Sequence, residues 1–264
     1  MVISDTAESQ NFLQDMAVLP GICLLALLSV NFSQATEISP ANLNYIVNQF
    51  HNAAGTSSST DKALKQFAFL MALNSAQCSH GINDFNPSVK NLKPEENRNY
   101  IATQPAKMPN KGKQICCSET NILFSYAPNE QPAAQIFAGL ETVRNTLQAG
   151  GCVIFYTTNT PCSRRCLGQA DYDIIAPLTA APFSTWESNN NIHMYFVYSE
   201  QYLPTKDLTT AAAYEQFQQL TNSGFQRLSN SNFYLIYRCN NDQCRVCEQN
   251  NAFCLQWQPW PLAV

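Results

Sequence analysis

A chain of 264 residues that is 45% hydrophobic and 13% charged, with 9 glycines and 14 prolines, can bury one substantial core. That balance excludes collagenous and disordered classes. A formal net charge of −4 gives little long-range attraction to polyphosphate and disfavours tight, sequence-independent nucleic-acid binding.

Residues 1–35 read as a secretory signal peptide with a polar extension over 1–15. Residues 17–30 (AVLPGICLLALLSV) are apolar and uncharged, and Ser33-Gln34-Ala35 supplies small residues for cleavage. The run is short for a bilayer span and carries Pro20 and Gly21, and no basic residue precedes it. A core helix or a membrane anchor are the other readings. Cleavage after Ala35 removes Asp5, Glu8 and Asp15, leaving 16 acids against 15 bases, a net charge of −1. The expected mature chain is extracellular, without a membrane segment.

Leu43, Ile46, Val47 and Phe50 recur at helical spacing after Ser39, a suitable N-cap, so a helix is expected over 40–50. Residues 55–61 form a loop. Residues 65–74 (KQFAFLMALN) are apolar on both sides, and helix and buried strand both remain open. Residues 79–114 read as a long polar loop holding one short strand near 99–103. Helices are expected over 115–126 and 133–147, the second ended by Gly150-Gly151, and over 209–220. Strands are expected over 152–157, 192–198 and 232–238. This alternation argues an α/β fold with helices covering a sheet. The domain spans 36–238, with its core over 115–238, followed by a Cys-rich tail over 239–264.

Two stretches carry chemistry: Cys117-Ser118-Glu119, and Pro161-Cys162-Ser163-Arg164-Arg165-Cys166. Three thiols can grip Zn2+ and leave its fourth position open. Thiolates are favoured at helix N-termini, and Cys162 and Cys166 share a helix face at i and i+4. Glu119 then lies beside the metal without ligating it, placed to move protons. Arg164 and Arg165 are candidates to donate to the thiolates from outside the metal's own ligands, or are ordinary surface arginines.

Eleven cysteines are present, and Cys23 would leave with the signal. With three taken as ligands, and Cys152 as a buried free thiol opening an apolar run, six remain for three bridges. These are Cys78, Cys116, Cys239, Cys244, Cys247 and Cys254, of unassigned connectivity. Cys244 and Cys247 have zinc-ligand spacing, but oxidising conditions favour a disulfide-stapled tail.

Segment 115–238 resembles the zinc-dependent cytidine deaminase superfamily, and within it a secreted AID/APOBEC-like branch. The pattern Cys-x-Glu followed by Pro-Cys carries the resemblance. So do the strand and turn Phe155-Tyr156-Thr157-Thr158-Asn159-Thr160-Pro161-Cys162 and the later strand and loop from Tyr195 to Pro204. This sequence has Cys117 where the branch usually has His, three residues between Cys162 and Cys166, and Asn159 where Trp is typical.

The resemblance implies a three-layer fold with a mixed sheet of about five strands, the last parallel. It implies a zinc-dependent deaminase turning cytosine into uracil in nucleic acid or nucleoside, with a role in immune defence. It places Asn110 on the sugar, Thr158 at the substrate, and Tyr198 and Tyr202 stacked on bases. Turn and sheet-packing roles are the alternatives for Asn110 and the two tyrosines. A binding protein of the same fold without turnover is the second functional reading, and a purely disulfide-bonded secreted domain with Cys162 and Cys166 oxidised is the third. His51, His80 and His193 are scattered, and no Gly-rich phosphate loop is present.

Overall fold

The structure is a computed structural model. It describes residues 37–55, 66–88, 99–102, 143, 147–161, 166–167, 174–180, 183–200, 226, 228, 233, 235–240, 242–247 and 254. The chain divides into Met1–Gln34 and Ala35–Val264, and every described residue belongs to the second unit. The expected helices 115–126 and 209–220 lie outside the described residues. So do residues 55–61 beyond Gly55, and the signal segment up to Ala35.

Helix α1 (Pro40–Ala54) forms where the periodicity places it. Ser39 accepts a hydrogen bond from the Asn42 amide, Pro40 opens the helix, and Gly55 closes it in the left-handed region at φ 65°. Leu43, Ile46, Val47, Phe50 and Ala54 are its buried face. The apolar stretch that admitted two readings is strand β1 (Ala68–Leu73), buried at every position. Paired on both edges and covered on both faces, it shows no polar alternation in sequence.

A short helix α2 (Ser75–His80) follows, mostly in residues 75–78 for which no element was expected, and reaching two residues into the expected loop. Its signal is a capping box. Asn74 accepts from the Gln77 amide, and the Gln77 side chain accepts from the Asn74 amide. Strand β2 (Tyr100–Ala102), strand β3 (Cys152–Asn159), helices α3 (Ile175–Thr179) and α4 (Phe183–Asn190), and strand β4 (His193–Glu200) come next. Strands β5 (Leu235–Cys239) and β6 (Cys244–Val246) complete the fold. Gly150 and Gly151 turn the chain into β3. Gly150 has φ 77°, and a Cβ on Gly151 would collide with the Leu73 carbonyl.

The six strands form one mixed sheet in the order β2-β1-β3-β4-β5-β6. Pairs β3–β4 and β4–β5 are parallel, and the other three are antiparallel. The expected parallel last strand is β5, and the Cys-rich tail adds β6 as a sixth strand through a hairpin. Apolar side chains fill both faces. On one, α1 packs against Phe69, Ile154, Tyr156, Tyr195 and Val197. On the other, Phe155, Phe196 and Tyr198 meet Val143, Cys166, Leu178, Phe183 and Trp186. The result is helix, sheet, helix: a three-layer α/β fold. Among the described residues no helix is long and apolar enough to cross a membrane.

Cys152 is not the expected free thiol. It is bonded to Cys78, because β3 begins directly beside α2 on the edge of β1. Cys239–Cys244 and Cys247–Cys254 staple the tail, so Cys244 and Cys247 are not ligands of a second zinc. The Cys78–Cys152 bridge spans 74 positions. Replacing both cysteines by Ala should lower the unfolding free energy in a urea titration by about 2–5 kcal/mol. An unchanged midpoint would contradict a structural role for that bridge.

Candidate active site at the strand ends

Because β3, β4 and β5 are parallel, their C-terminal ends share one edge of the sheet. Antiparallel β1 begins at that same edge. In open α/β sheets this is the edge beyond which ligands bind. Here β3 runs out through Asn159 and Thr160 into buried Pro161, the residue before Cys162. The exit is held tightly. The Thr160 amide donates to the Glu200 carbonyl at 2.8 Å, and Asn159 pairs with Glu200 in the parallel register. Across the other edge of β3, Gln66 acts as a clamp. Its Oε1 accepts from the Asn159 amide at 3.2 Å and from Asn159 Nδ2, and its Nε2 donates to Thr157 Oγ1 at 3.0 Å.

Behind this edge, on the α1 face, lies a buried polar network. His51 Nε2 is 2.6 Å from the Tyr156 hydroxyl and 3.4 Å from Ser199 Oγ, and those two hydroxyls are 2.8 Å apart. Burial pushes the His51 imidazole down to about 4, so it is neutral at physiological pH. Burial also drives the Tyr156 phenol well above its ordinary value, against the hydrogen bonds from Ser199 and Thr158. Arg238 Nε donates to the Ser199 carbonyl at 3.2 Å. Burial raises the Glu200 carboxyl, while the Arg238 guanidinium pulls it the other way.

Three of the residues expected at a site are described, and none is placed as expected. Thr158 is fully buried, its Oγ1 donating to the Phe67 carbonyl at 3.1 Å and accepting from the Phe67 amide at 3.2 Å. It joins β1 to β3 rather than facing a substrate. Tyr198 is likewise fully buried, and its hydroxyl donates to the Cys254 carbonyl at 2.9 Å. The disulfide-bonded tail meets its hydroxyl and the ring is buried in the sheet's core, where it packs rather than standing open to a base. Cys166 is 1% exposed, and its sulfur is held in a disulfide. A disulfide sulfur offers no thiolate, so in this state Cys166 is not a zinc ligand. Cys117, Glu119, Cys162, Asn110, Tyr202, Arg164 and Arg165 lie outside the described residues. Among the described residues no three His, Cys, Asp or Glu side chains converge as a metal site.

The sequence reading missed His51, Gln66, Glu200 and Arg238. The partners of His51 are 105 and 148 positions away, a separation that no spacing rule connects. Gln66 carried a weak signal, a polar residue at the mouth of an otherwise apolar strand.

The depressed His51 value makes stability depend on pH. Folding favours neutral imidazole, whose ordinary value is 6.5, so the unfolded chain binds the extra proton in acid. The His51 contribution is therefore complete above about 6.5 and declines as pH falls from there toward about 4. Urea midpoints measured across that window should fall for the native chain and fall less steeply for His51→Gln. Parallel curves for the two would contradict the assignment.

Residues 40–258 match the model of the family described as Secreted Novel AID/APOBEC-like Deaminase 1. No curated protein matches the chain. The three disulfides formed between described residues suit the oxidising surroundings of a secreted protein. The match covers well over half of the chain, and the mixed sheet with parallel β4–β5 accords with it. The chain belongs to the Secreted Novel AID/APOBEC-like Deaminase 1 family.

Proposed function

We propose that this protein is a secreted, zinc-dependent deaminase that converts cytosine to uracil in a nucleic acid or nucleoside, in the context of immune defence. The family match carries the reading, and the sheet edge that leads β3 straight into Pro161 and Cys162 supports it. The reaction is a hydrolysis: water's oxygen bonds to the ring carbon, the carbon–nitrogen bond breaks, and ammonia leaves with the protons. Cys117, Cys162 and Cys166 would hold the metal once Cys166 is reduced, since the disulfide-bonded state does not fit a zinc ion. Bound zinc supplies a water that ionises near neutral pH. Glu119, two positions from Cys117, would carry protons to the ring and to the departing amine. Asn110 and Tyr202 are proposed to contact the substrate, with Arg164 and Arg165 donating to the thiolates. The leader over residues 1–35 is proposed to direct secretion.

A second reading has its own support. The oxidised Cys166, with Thr158 and Tyr198 locked in packing, favours a deaminase-fold protein that binds a ligand without turning it over.

One comparison separates the two. The chain is titrated with a phosphine until Cys166 is free while Cys78–Cys152, Cys239–Cys244 and Cys247–Cys254 remain bonded, then loaded with zinc and assayed for ammonia release from cytidine and from cytosine-containing single-stranded DNA. On the enzymatic reading it turns over, and Glu119→Ala keeps its zinc while losing at least roughly 100-fold in rate. Equal rates in that variant would remove the mechanism. Bound zinc with no turnover on any cytosine or adenine substrate would support the binding protein instead.

A further inference from the structure

The buried network of His51, Tyr156 and Ser199 has no part in the chemistry assigned to Cys117, Glu119, Cys162 and Cys166. Tyr156 and Ser199 are buried and His51 half-buried between α1 and the sheet, which is costly unless their hydrogen bonds are made, and these make them with one another. Its location is specific. Tyr156 and Thr158 project to the α1 side of β3, and Thr158 ties that strand to Phe67. Ser199 is the neighbour of Glu200, whose carbonyl receives the Thr160 amide. The Ser199 carbonyl also receives Arg238. Tyr156 is thus two residues from Thr158, and Ser199 one residue from Glu200, whose backbone hydrogen bonds set the exit of β3 toward Cys162, and His51 reaches both hydroxyls from α1.

We propose that His51 is a positioning residue. Through the Tyr156 and Ser199 hydroxyls, its imidazole fixes the adjoining ends of β3 and β4 and with them the Thr160-Pro161 approach to the site. The idea that this edge serves catalysis rests on the deaminase reading; the mechanical part does not. The imidazole is wedged edge-on against Phe67 and Tyr156, at centroid distances of 5.2 and 5.7 Å. A phenyl ring at position 51 keeps the aromatic contacts and removes the hydrogen bonds, and the Tyr156 hydroxyl must draw back from the 2.6 Å approach it makes to Nε2. Glutamine reaches about as far as Nε2 and can restore them.

The test is amide hydrogen exchange on the full-length chain, native against His51→Phe and His51→Gln. His51→Phe should accelerate the Thr158 and Thr160 amides about tenfold, the worth of one hydrogen bond. The His193 amide, bonded to the Gly151 carbonyl at the opposite end of the sheet, should be unchanged. His51→Gln should return the fast amides toward native rates, and kcat/KM for ammonia release from cytidine should follow the same order. Unaltered exchange at Thr160, equal acceleration at His193, or faster exchange with native kcat/KM would each overturn the proposal. Absent turnover in the native chain would sink the deaminase reading alone, and the exchange pattern would still decide whether His51 sets the strand ends.

Discussion

Strand β3 lies between antiparallel β1 and parallel β4, with side chains buried on both faces, and the rest of the domain is arranged around that constraint. A strand in this position has all of its ladder hydrogen bonds made by neighbours and exchanges few contacts with water. Its Phe155 packs with Phe196 on one face, and its Tyr156 stacks on Phe69 on the other. Neither face can move without disturbing a layer. The rigidity is passed to the end of the strand, where Asn159 is gripped by Gln66 and Thr160 by Glu200. A functional group is held most accurately when the element carrying it is anchored in this way.

The layers have different tasks. Helix α1 supplies an apolar face and one imidazole, and that imidazole sits among aromatic rings with its hydrogen bonds made. The opposite layer holds Cys166 in a hydrophobic cluster with Leu178, Phe183 and Trp186. Low polarity there raises the cost of an unpaired thiolate and favours either a disulfide or a metal at that sulfur. The disulfide is the state described. The tail closes the far side, where Cys247–Cys254 brings the Cys254 carbonyl onto the Tyr198 hydroxyl.

Much of the scaffold could be read from residue patterns, for identifiable reasons. Helix α1 has a clean stripe and two proper caps, and β3, β4 and β5 are dense in β-branched and aromatic residues. Strand β1 stayed ambiguous because burial on both faces erases the alternation that marks a strand. Helices α2 and α3 are six and five residues long, too short for a period to show. Thr158 and Tyr198 were misplaced for a related reason. The resemblance gave their order along the chain, but which face each takes depends on register and on a tail that folds back over the sheet. Cys152 was misread because its partner is set by a β1–β3 pairing that spacing does not reveal. The family itself was legible in two short motifs, since their chemistry demands particular residue types in a particular order.

The decisive feature is therefore the state of the sulfur atoms beyond the end of β3. Zinc K-edge X-ray absorption on the phosphine-reduced, zinc-loaded protein addresses it most directly. A shell of three sulfur scatterers at about 2.3 Å, with one lighter atom in the fourth position, is the expected result. A shell of nitrogen and oxygen alone, or no stoichiometric zinc, would contradict a deaminase centre built from these cysteines.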